Sequence, residues 1–302
     1  MGKTLIIGGS GMIGAALKNQ LSGLQREPIS IDLKDGIDIC NMEWNSLALW
    51  WHTLQPDEVY HLAGMKGGVG IGRSKAFDFM NSNIGPMLTV LRLCKEVHMP
   101  RKLLYTSSIG VYQAAEEFFE EEGLMGEPHP SDYFGGYAKR VGEIGLEALC
   151  LQSGLRYLIV RPTNTFGIGD NTNPDTGMVV GATIGKLIRG DNPIVVWGDG
   201  SAQRDFLSAT EVADGMVTVM SNGISGEAYN IGRGKAITIK MLVEAIVSLW
   251  NSRTGKNVKI EYSTGKPTGS TIRKMNNDKL RSLGWSPGNI LLELDQVMQY
   301  YV

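Results

Sequence analysis

The stretch that decides the fold is KTLIIGGSGMIG, Lys3 to Gly14. Lys3 to Ile7 is a short apolar run with the length of a buried strand. It passes straight into Gly8, Gly11 and Gly14, spaced G-x-x-G-x-x-G. An amphipathic helix follows, with Ile13, Leu17, Leu21 and Leu24 on one face. Strand, glycine turn and helix start together make an anion site, because the turn lets backbone approach a pyrophosphate and the first helical N–H groups point at it. Gly8, Gly11, Met12 and Ile13 are the candidate contacts. A second apolar run, Pro28 to Ile31, ends at Asp32. A carboxylate there accepts both ribose hydroxyls of an adenosine and repels a 2′-phosphate. The pattern predicts NAD as cofactor rather than NADP, with Lys34 as the one feature pulling the other way.

The chain of 302 residues is 42% hydrophobic and 20% charged, with a net charge of -2, so it can bury a full core. Neither sign of charge forms a long run, which argues against nucleic-acid and anionic-membrane partners. The start is a core strand rather than a secretory leader, and no apolar stretch is long enough to span a bilayer. Cys40, Cys94 and Cys150 are odd in number and widely spaced, and His52, His61, His98 and His129 have no ligand spacing. These features predict reduced thiols, no metal site and a cytoplasmic protein.

Strand-like and helical runs alternate from residue 3 to about 161, the pattern of an α/β doubly wound parallel sheet. Residues 1–165 are predicted to form the NAD-binding domain. Residues 166–302 are predicted to be mainly a smaller C-terminal α/β substrate-binding lobe, with some elements returning to the first sheet. Asp38 and Ile39 follow the second strand and are placed to flank an adenine ring. The third strand, Asp57 to Leu62, ends in HLAG; Leu62, Ala63 and Gly64 leave room for cofactor over the strand ends, and close helix packing would ask for the same small residues. MKGGVGIG, Met65 to Gly72, has too many glycines for a helix or strand, and reads as a ligand-covering loop or a plain connection. The helix Phe77 to Val97 carries Asn81 and Asn83. TSSIGVY puts Ser107 and Ser108 at the carboxyl end of a central strand. The acidic run Glu116 to Glu122 reads as a solvated excursion. A helix from Tyr137 to Leu151 and a strand from Leu155 to Arg161 come next. Further on, Ser208 to Glu211 is a capping box, Val258 to Tyr262 reads as the last strand, and Ser286-Pro287 reads as the start of the final helix.

With GGSGMIG, HLAG, TSSIGVY, AKRVGE, VRPTNTFG and WGDGSAQRDF in order, the chain resembles the extended short-chain dehydrogenase/reductase family over nearly its whole length. These are NAD(P)-dependent nucleotide-sugar epimerases, dehydratases and reductases. The GGVG loop, RPTN, VVWGDGSAQRDF and GKPTGSTIRKM are similar to the GDP-L-fucose synthase branch. The resemblance implies a Rossmann-type fold and a homodimer formed through the helices near 77–97 and 137–151. It also implies that Ser108 hydrogen-bonds the reacting sugar oxygen. Lys139 would hold the nicotinamide ribose and lower a phenol's pKa. Asn164 would contact the substrate, Arg204 would clamp its pyrophosphate, and Trp197 and Arg273 would line the base pocket. Arg204 also reads as a surface ion pair with Asp205.

The chain departs from that family at the proton donor, a Tyr one helical turn before the Lys. Here SDYFGGYAK puts Gly135 four residues before Lys139. Tyr137 is two residues away and on another face. Three readings stand: a bulge at Gly135-Gly136 that brings Tyr133 inward, another group such as Ser108 or a water on Lys139, or a weakly active site. The branch's epimerising Cys and His fall at Gly110 and Met178, neither of which moves protons. The reading that remains is NAD(H)-dependent hydride transfer at one carbon of a nucleotide-diphosphate sugar, GDP-linked on the resemblance, by a 4-keto reductase, dehydrogenase or C4 epimerase. The rival is a catalytically impaired dinucleotide-binding homologue acting as a sensor or partner subunit.

Overall fold

The computed structural model describes residues 2–66, 74–263 and 272–302. The first strand, β1 (Thr4–Ile7), is buried at all four positions, as a central parallel strand requires. It is followed by α1 (Met12–Gly23), β2 (Ile29–Ile31), α2 (Trp44–Leu54), β3 (Glu58–His61), α3 (Ala76–Glu96) and β4 (Lys102–Thr106). Then come the short β5 (Glu117–Phe118), α4 (Tyr133–Ser153), β6 (Tyr157–Pro162), β7 (Asn164–Phe166), α5 (Val179–Arg189), β8 (Ile194–Trp197) and β9 (Gln203–Ser208). The chain closes with α6 (Ala209–Asn222), β10 (Ala228–Ile231), β11 (Ala236–Thr238), α7 (Ile239–Thr254), β12 (Ile260–Ser263), β13 (Ile272–Met275), α8 (Asp278–Arg281) and α9 (Ile290–Tyr301).

Six strands form one parallel sheet in the order β2-β1-β3-β4-β6-β10. The two sheet faces follow from the alternation along each strand. Leu5, Ile7, Val59, Leu103 and Tyr105 pack with α2, α3 and α4. Ile6, Tyr60, Leu104 and Val160 pack with α1 and α6 on the other side. The sixth strand, β10, and helix α6 come from beyond residue 165 and complete this sheet. The chain reverses its direction of progress at β1 and β3, the switch point where ligands bind in such sheets. A second sheet runs β11-β9-β13-β5, with β7 also paired to β9, and β8 pairs with β12. A third core of Phe166, Ile184, Phe206, Ile246 and Val297 lies among α5, α7 and α9. Among the described residues, no helix is long and apolar enough to cross a membrane.

Four local expectations are corrected. The acidic run is not a solvated excursion: β5 pairs with β13, Phe118 is buried and stacks on Tyr112 at 4.9 Å, and Glu120 Oε1 accepts the Asn230 N–H at 2.9 Å. Phe118 supplies the apolar anchor that the surrounding charge obscured. The last strand is β13 rather than Val258 to Tyr262. The final helix starts at Ile290, where the Asn289 side chain accepts the Leu291 N–H at 2.9 Å, rather than at Ser286. Helix α4 starts at Tyr133, four residues before the expected position, and runs unbroken through Gly135 and Gly136. A Cβ at Gly136 would lie 2.2 Å from the Gly110 carbonyl oxygen, and one at Gly142 would lie 2.4 Å from Tyr105 Oη. These glycines let α4 press against the sheet and the turn after β4, which is close packing rather than a bulge.

Candidate active site: two adjoining cavities

At the switch point Gly8 adopts φ +93°, and a Cβ there would lie 2.7 Å from the Ala63 backbone nitrogen. A Cβ at Gly14 would sit 2.3 Å from the Gly8 carbonyl oxygen. Gly11 stands at the start of α1, and among the described residues no side chain caps that end, so the N–H groups of Met12 and Ile13 find no side-chain acceptor there. This cradle fits a dinucleotide pyrophosphate, and a side chain at either glycine would push its backbone apart. The cleft in front of it holds about 570 Å³. Gly8, Gly11, Met12, Leu62 and Ala63 line it at the turn, and Asp32, Asp38 and Ile39 line the far end. The Asp32 carboxylate accepts the N–H of Ser10 at 3.0 Å and of Lys34 at 2.9 Å, so it also ties the glycine turn to β2. Asp38 accepts from the Cys40 N–H and the Asn41 amide, which fixes the turn that carries Ile39.

A second cavity of about 840 Å³ adjoins the first, and Leu62, Gly64, Met65, Lys66 and Met178 line both. Ile13 lines this larger cavity. So do Ser108, Tyr133, Lys139, Asn164, Arg204 and Arg273, which the turn after β4, helix α4 and strands β7, β9 and β13 bring together. Lys139 Nζ donates to the Thr106 carbonyl at 3.0 Å and lies 5.2 Å from the Tyr105 ring centre. Burial pushes its ammonium down to about 8, against the opposing charge of Glu143. A Cβ on Gly64 would lie 2.4 Å from Asn83 Oδ1 and 3.2 Å from Lys139 Nζ, so the chain passes close to both side chains there. Asn83 is buried and donates to the carbonyls of Met65 and Phe79, tying the loop after β3 to α3. Behind them His61 is fully buried and is pushed down to about 4 by burial and the Lys139 charge. Ser108 Oγ accepts the Gly110 N–H at 3.0 Å, leaving its own hydrogen to donate into the cavity.

On the opposite wall Arg204 and Arg273 are paired residues of neighbouring strands. Like charges side by side favour an anionic ligand. Burial and the Arg273 charge both push the Arg204 guanidinium down. Arg273 is 8% exposed, its Nη1 meets Asp132 Oδ2 at 2.8 Å, and its Nε and Nη2 find no hydrogen-bond partner among the described residues. Asn164 donates to the Asp205 carbonyl at 2.9 Å while lining the cavity. Asp205 is buried and accepts the N–H groups of Arg233 and Gly234, so it braces backbone and does not pair with Arg204 as a surface bridge. Burial raises its carboxyl to about 6. Trp197 is 59% exposed and lies outside the lining of both cavities. Residues 67–73 and 264–271, which hold most of the GGVG loop and of GKPTGST, are outside the described residues. No group of three or more His, Cys, Asp or Glu side chains is placed to hold a metal ion among the described residues.

Gly135 has a physical explanation that the sequence did not offer. A Cβ there would lie 2.5 Å from Cε1 of Phe79, so the Phe79 ring from α3 occupies the approach to this position. The regular start of α4 excludes the bulge that would swing Tyr133 inward as expected. Tyr133 lines the cavity nonetheless, 41% exposed, with its ring edge-on to Tyr137 at 5.0 Å. Sequence reasoning also missed Phe79, Lys66 and His129 as cavity residues. Lys66 Nζ reaches the Thr165 carbonyl at 2.9 Å and Asp170 at 3.1 Å, linking the loop after β3 to the loop after β7. No spacing rule connects such contacts, because their partners lie about a hundred residues apart or on separate elements.

A fold of this kind, with a glycine cradle at the switch point and a cationic cavity beside it, belongs to the class of dinucleotide-binding α/β proteins. A model of the NAD dependent epimerase/dehydratase family matches residues 4–232, and the chain belongs to that family. It is 27% identical over 308 residues to the probable GDP-L-fucose synthase 1 of Oryza sativa subsp. japonica, covering 100% of this chain and 92% of that one. The crystal structure of a GDP-L-fucose synthetase from Naegleria fowleri superposes with a TM-score of 0.85 at 19% identity, over 99% of this chain and 93% of that one. That enzyme has also been seen bound to NADP. A GDP-6-OMe-4-keto-L-xylo-heptose reductase from C. jejuni gives a TM-score of 0.85 at 20% identity, over 99% and 97% of the two chains.

Two outcomes follow from this geometry. Gly135→Tyr lowers unfolding stability by about 1–3 kcal/mol through overpacking, and combined with Phe79→Ala it loses less than the sum of the two single changes. Denaturant unfolding of the four proteins checks this, and strict additivity would show that Phe79 is not the obstacle. Lys139 is charged below about 8 and neutral above it. With Lys139 on the cofactor ribose, as the resemblance implies, dinucleotide affinity is expected to fall as pH rises through that value in the wild type, and Lys139→Met to remove this step from the pH profile measured by fluorescence titration.

Proposed function

We propose that this protein moves hydride between NAD(H) and one carbon of a nucleotide-diphosphate sugar, GDP-linked by its likeness to GDP-L-fucose synthases, as a 4-keto reductase, dehydrogenase or C4 epimerase. The observation that carries this reading is the junction of the two cavities at Leu62 to Lys66, which brings a dinucleotide cleft to Lys139 and Ser108 with a pair of guanidinium groups beyond. Gly8, Gly11, Met12 and Ile13 would hold the pyrophosphate, and Asp32 the adenosine ribose. The nicotinamide supplies or accepts the hydride when bound. Ser108 Oγ donates to the reacting sugar oxygen. Lys139 spends one N–H on Thr106 and keeps others for the cofactor ribose and for a water that exchanges the proton. Arg204 and Arg273 clamp the diphosphate, and Asn164 orients the sugar.

Gly110 and Met178 both line the sugar cavity, where the fucose synthases have an epimerising Cys and His. Neither side chain carries an acid or base, which supports hydride transfer without double epimerisation. Asp32 supports a preference for NAD over NADP. The ring of Phe79 beside Gly135 favours one second reading, a dinucleotide-binding homologue with impaired catalysis, since that ring stands where a side chain at the helical position would begin. The apolar side chains of Leu88 on α3 and Ile144 and Leu151 on α4 are exposed by 49%, 53% and 82% and support a homodimer through these packed helices.

Single-turnover absorbance of bound nicotinamide decides between the readings when protein loaded with NAD(H) is mixed with GDP-, UDP- and dTDP-linked sugars and 4-keto sugars. A change with one substrate is expected. Binding without any change across the panel supports the impaired homologue. NAD binding more tightly than NADP in the same protein is expected, and equal affinities would remove Asp32 from the argument. Sedimentation of the wild type is expected to show a dimer that Ile144→Glu dissociates; a monomeric wild type would remove the helix face from consideration.

A further inference from the structure

His129 lies on the cationic wall of the sugar cavity, in the segment that leads into α4. Its backbone is fixed from two sides. Its N–H donates to the Tyr112 carbonyl at 3.0 Å, and its carbonyl accepts the Asp132 N–H at 2.7 Å. Asp132 then holds Arg273 through the 2.8 Å ion pair, so the turn from His129 to Asp132 is docked onto the guanidinium wall.

The ring has a defined orientation. Nδ1 accepts the Ser131 backbone N–H at 3.2 Å and lies 2.7 Å from Ser131 Oγ. A backbone N–H can only donate, so Nδ1 carries the lone pair and Nε2 carries the proton. Nε2 has no protein partner among the described residues. The charged groups facing this imidazole are Arg273 from β13, Arg204 from β9 and Asp132 from its own turn. Burial and the two guanidinium groups push its pKa below the ordinary imidazole value, against Asp132. Proton uptake would also force Nδ1–H against the Ser131 N–H. The wall therefore presents two guanidinium groups and one neutral, oriented N–H donor.

We propose that His129 is a third ligand of the substrate diphosphate, donating Nε2–H to one of its oxygens beside Arg204 and Arg273. This rests on the nucleotide-sugar reading above. A diphosphate offers more oxygen lone pairs than two guanidinium groups can meet. A neutral donor adds a directed contact without a third positive charge in a partly buried wall. It fixes the diphosphate, and with it the distance of the sugar from Ser108.

Calorimetric titration with GDP-glucose, UDP-glucose and dTDP-glucose, and then with the nucleoside diphosphate of whichever binds, tests this. His129→Leu is expected to weaken both the diphosphate and the diphosphate sugar by on the order of tenfold, with an unchanged melting temperature. His129→Gln keeps an N–H near the Nε2 position and is expected to bind nearly as the wild type does, which a merely structural role would not produce. Proton uptake on binding the diphosphate sugar, from heats in buffers of different ionisation enthalpy, is expected to be the same in wild type and His129→Gln. Equal affinity of wild type and His129→Leu overturns the proposal alone. So does a proton taken up by wild type and not by His129→Gln, which would make the ligand an imidazolium. Weakening of the sugar conjugate without weakening of the diphosphate overturns it in favour of a sugar hydroxyl. A wild type that binds none of the three overturns the nucleotide-sugar reading together with it.

Discussion

The contact on which the site depends is the approach of the Gly8 turn to the backbone at Ala63. A side chain at Gly8 would need the space that the Ala63 nitrogen fills, and Gly8 also takes a positive φ that other residues resist. That approach places the uncapped start of α1 over the ends of β1 and β3. It also sets the height at which the chain leaves β3, so that Gly64 passes between Asn83 and Lys139. Pushing the two backbones apart would widen the cleft and shift Gly64 relative to Lys139 in one movement. The cofactor cradle and the reacting wall are therefore one mechanical unit.

Helix α4 supplies the second half of that unit. Its position is fixed by glycine contacts with the turn after β4 and with Tyr105, and by a buried ion pair. Glu143 meets Arg161 of β6 at 2.9 and 2.7 Å, both side chains below 5% exposed. Arg161 donates as well to Tyr112 Oη and the Glu120 carbonyl, so all the charge buried here is matched by partners. Burial lowers the affinity of Lys139 for its proton, while Glu143 one turn along the helix restrains that drop. A lysine near 8 can stay charged at neutral pH and still give up a proton, which suits a group next to an oxygen that gains and loses charge.

The parallel sheet, the glycine cradle, Asp32 and the placement of Ser108 and Lys139 were legible because each is carried by local pattern: an apolar run, a fixed glycine spacing, a residue at a strand end. The second sheet was much less so. Strand β5 hides in a run of glutamates and shows itself only through Phe118, whose partner strand lies more than a hundred and fifty residues away. The glycines of α4 read as flexibility in sequence and prove to be close contacts in space. Their meaning depends on Gly110, Tyr105 and Phe79, which no spacing rule connects to them. Asn164, Arg204 and Arg273 came together in the sequence only through resemblance, because the strand register that puts the two arginines side by side is a long-range pairing.

Phe79 and Gly135 show why one missing side chain need not mean a missing site. A glycine that merely replaced a tyrosine would leave a void in the cavity wall, and a void of that size would cost stability. Here the ring of Phe79 stands where the new side chain would begin, so the wall is filled by another helix. The substitution thus changes chemistry without loosening packing. The polar groups on that wall include Ser108, Lys139, Tyr133 and the hydroxyls of Thr106 and Ser107, which have no hydrogen-bond partner among the described residues. Any proton that accompanies hydride transfer has to pass through that set or through a water it holds. Lys139 stands on the same wall, with one N–H spent on the Thr106 carbonyl and, through burial, a lowered affinity for its proton.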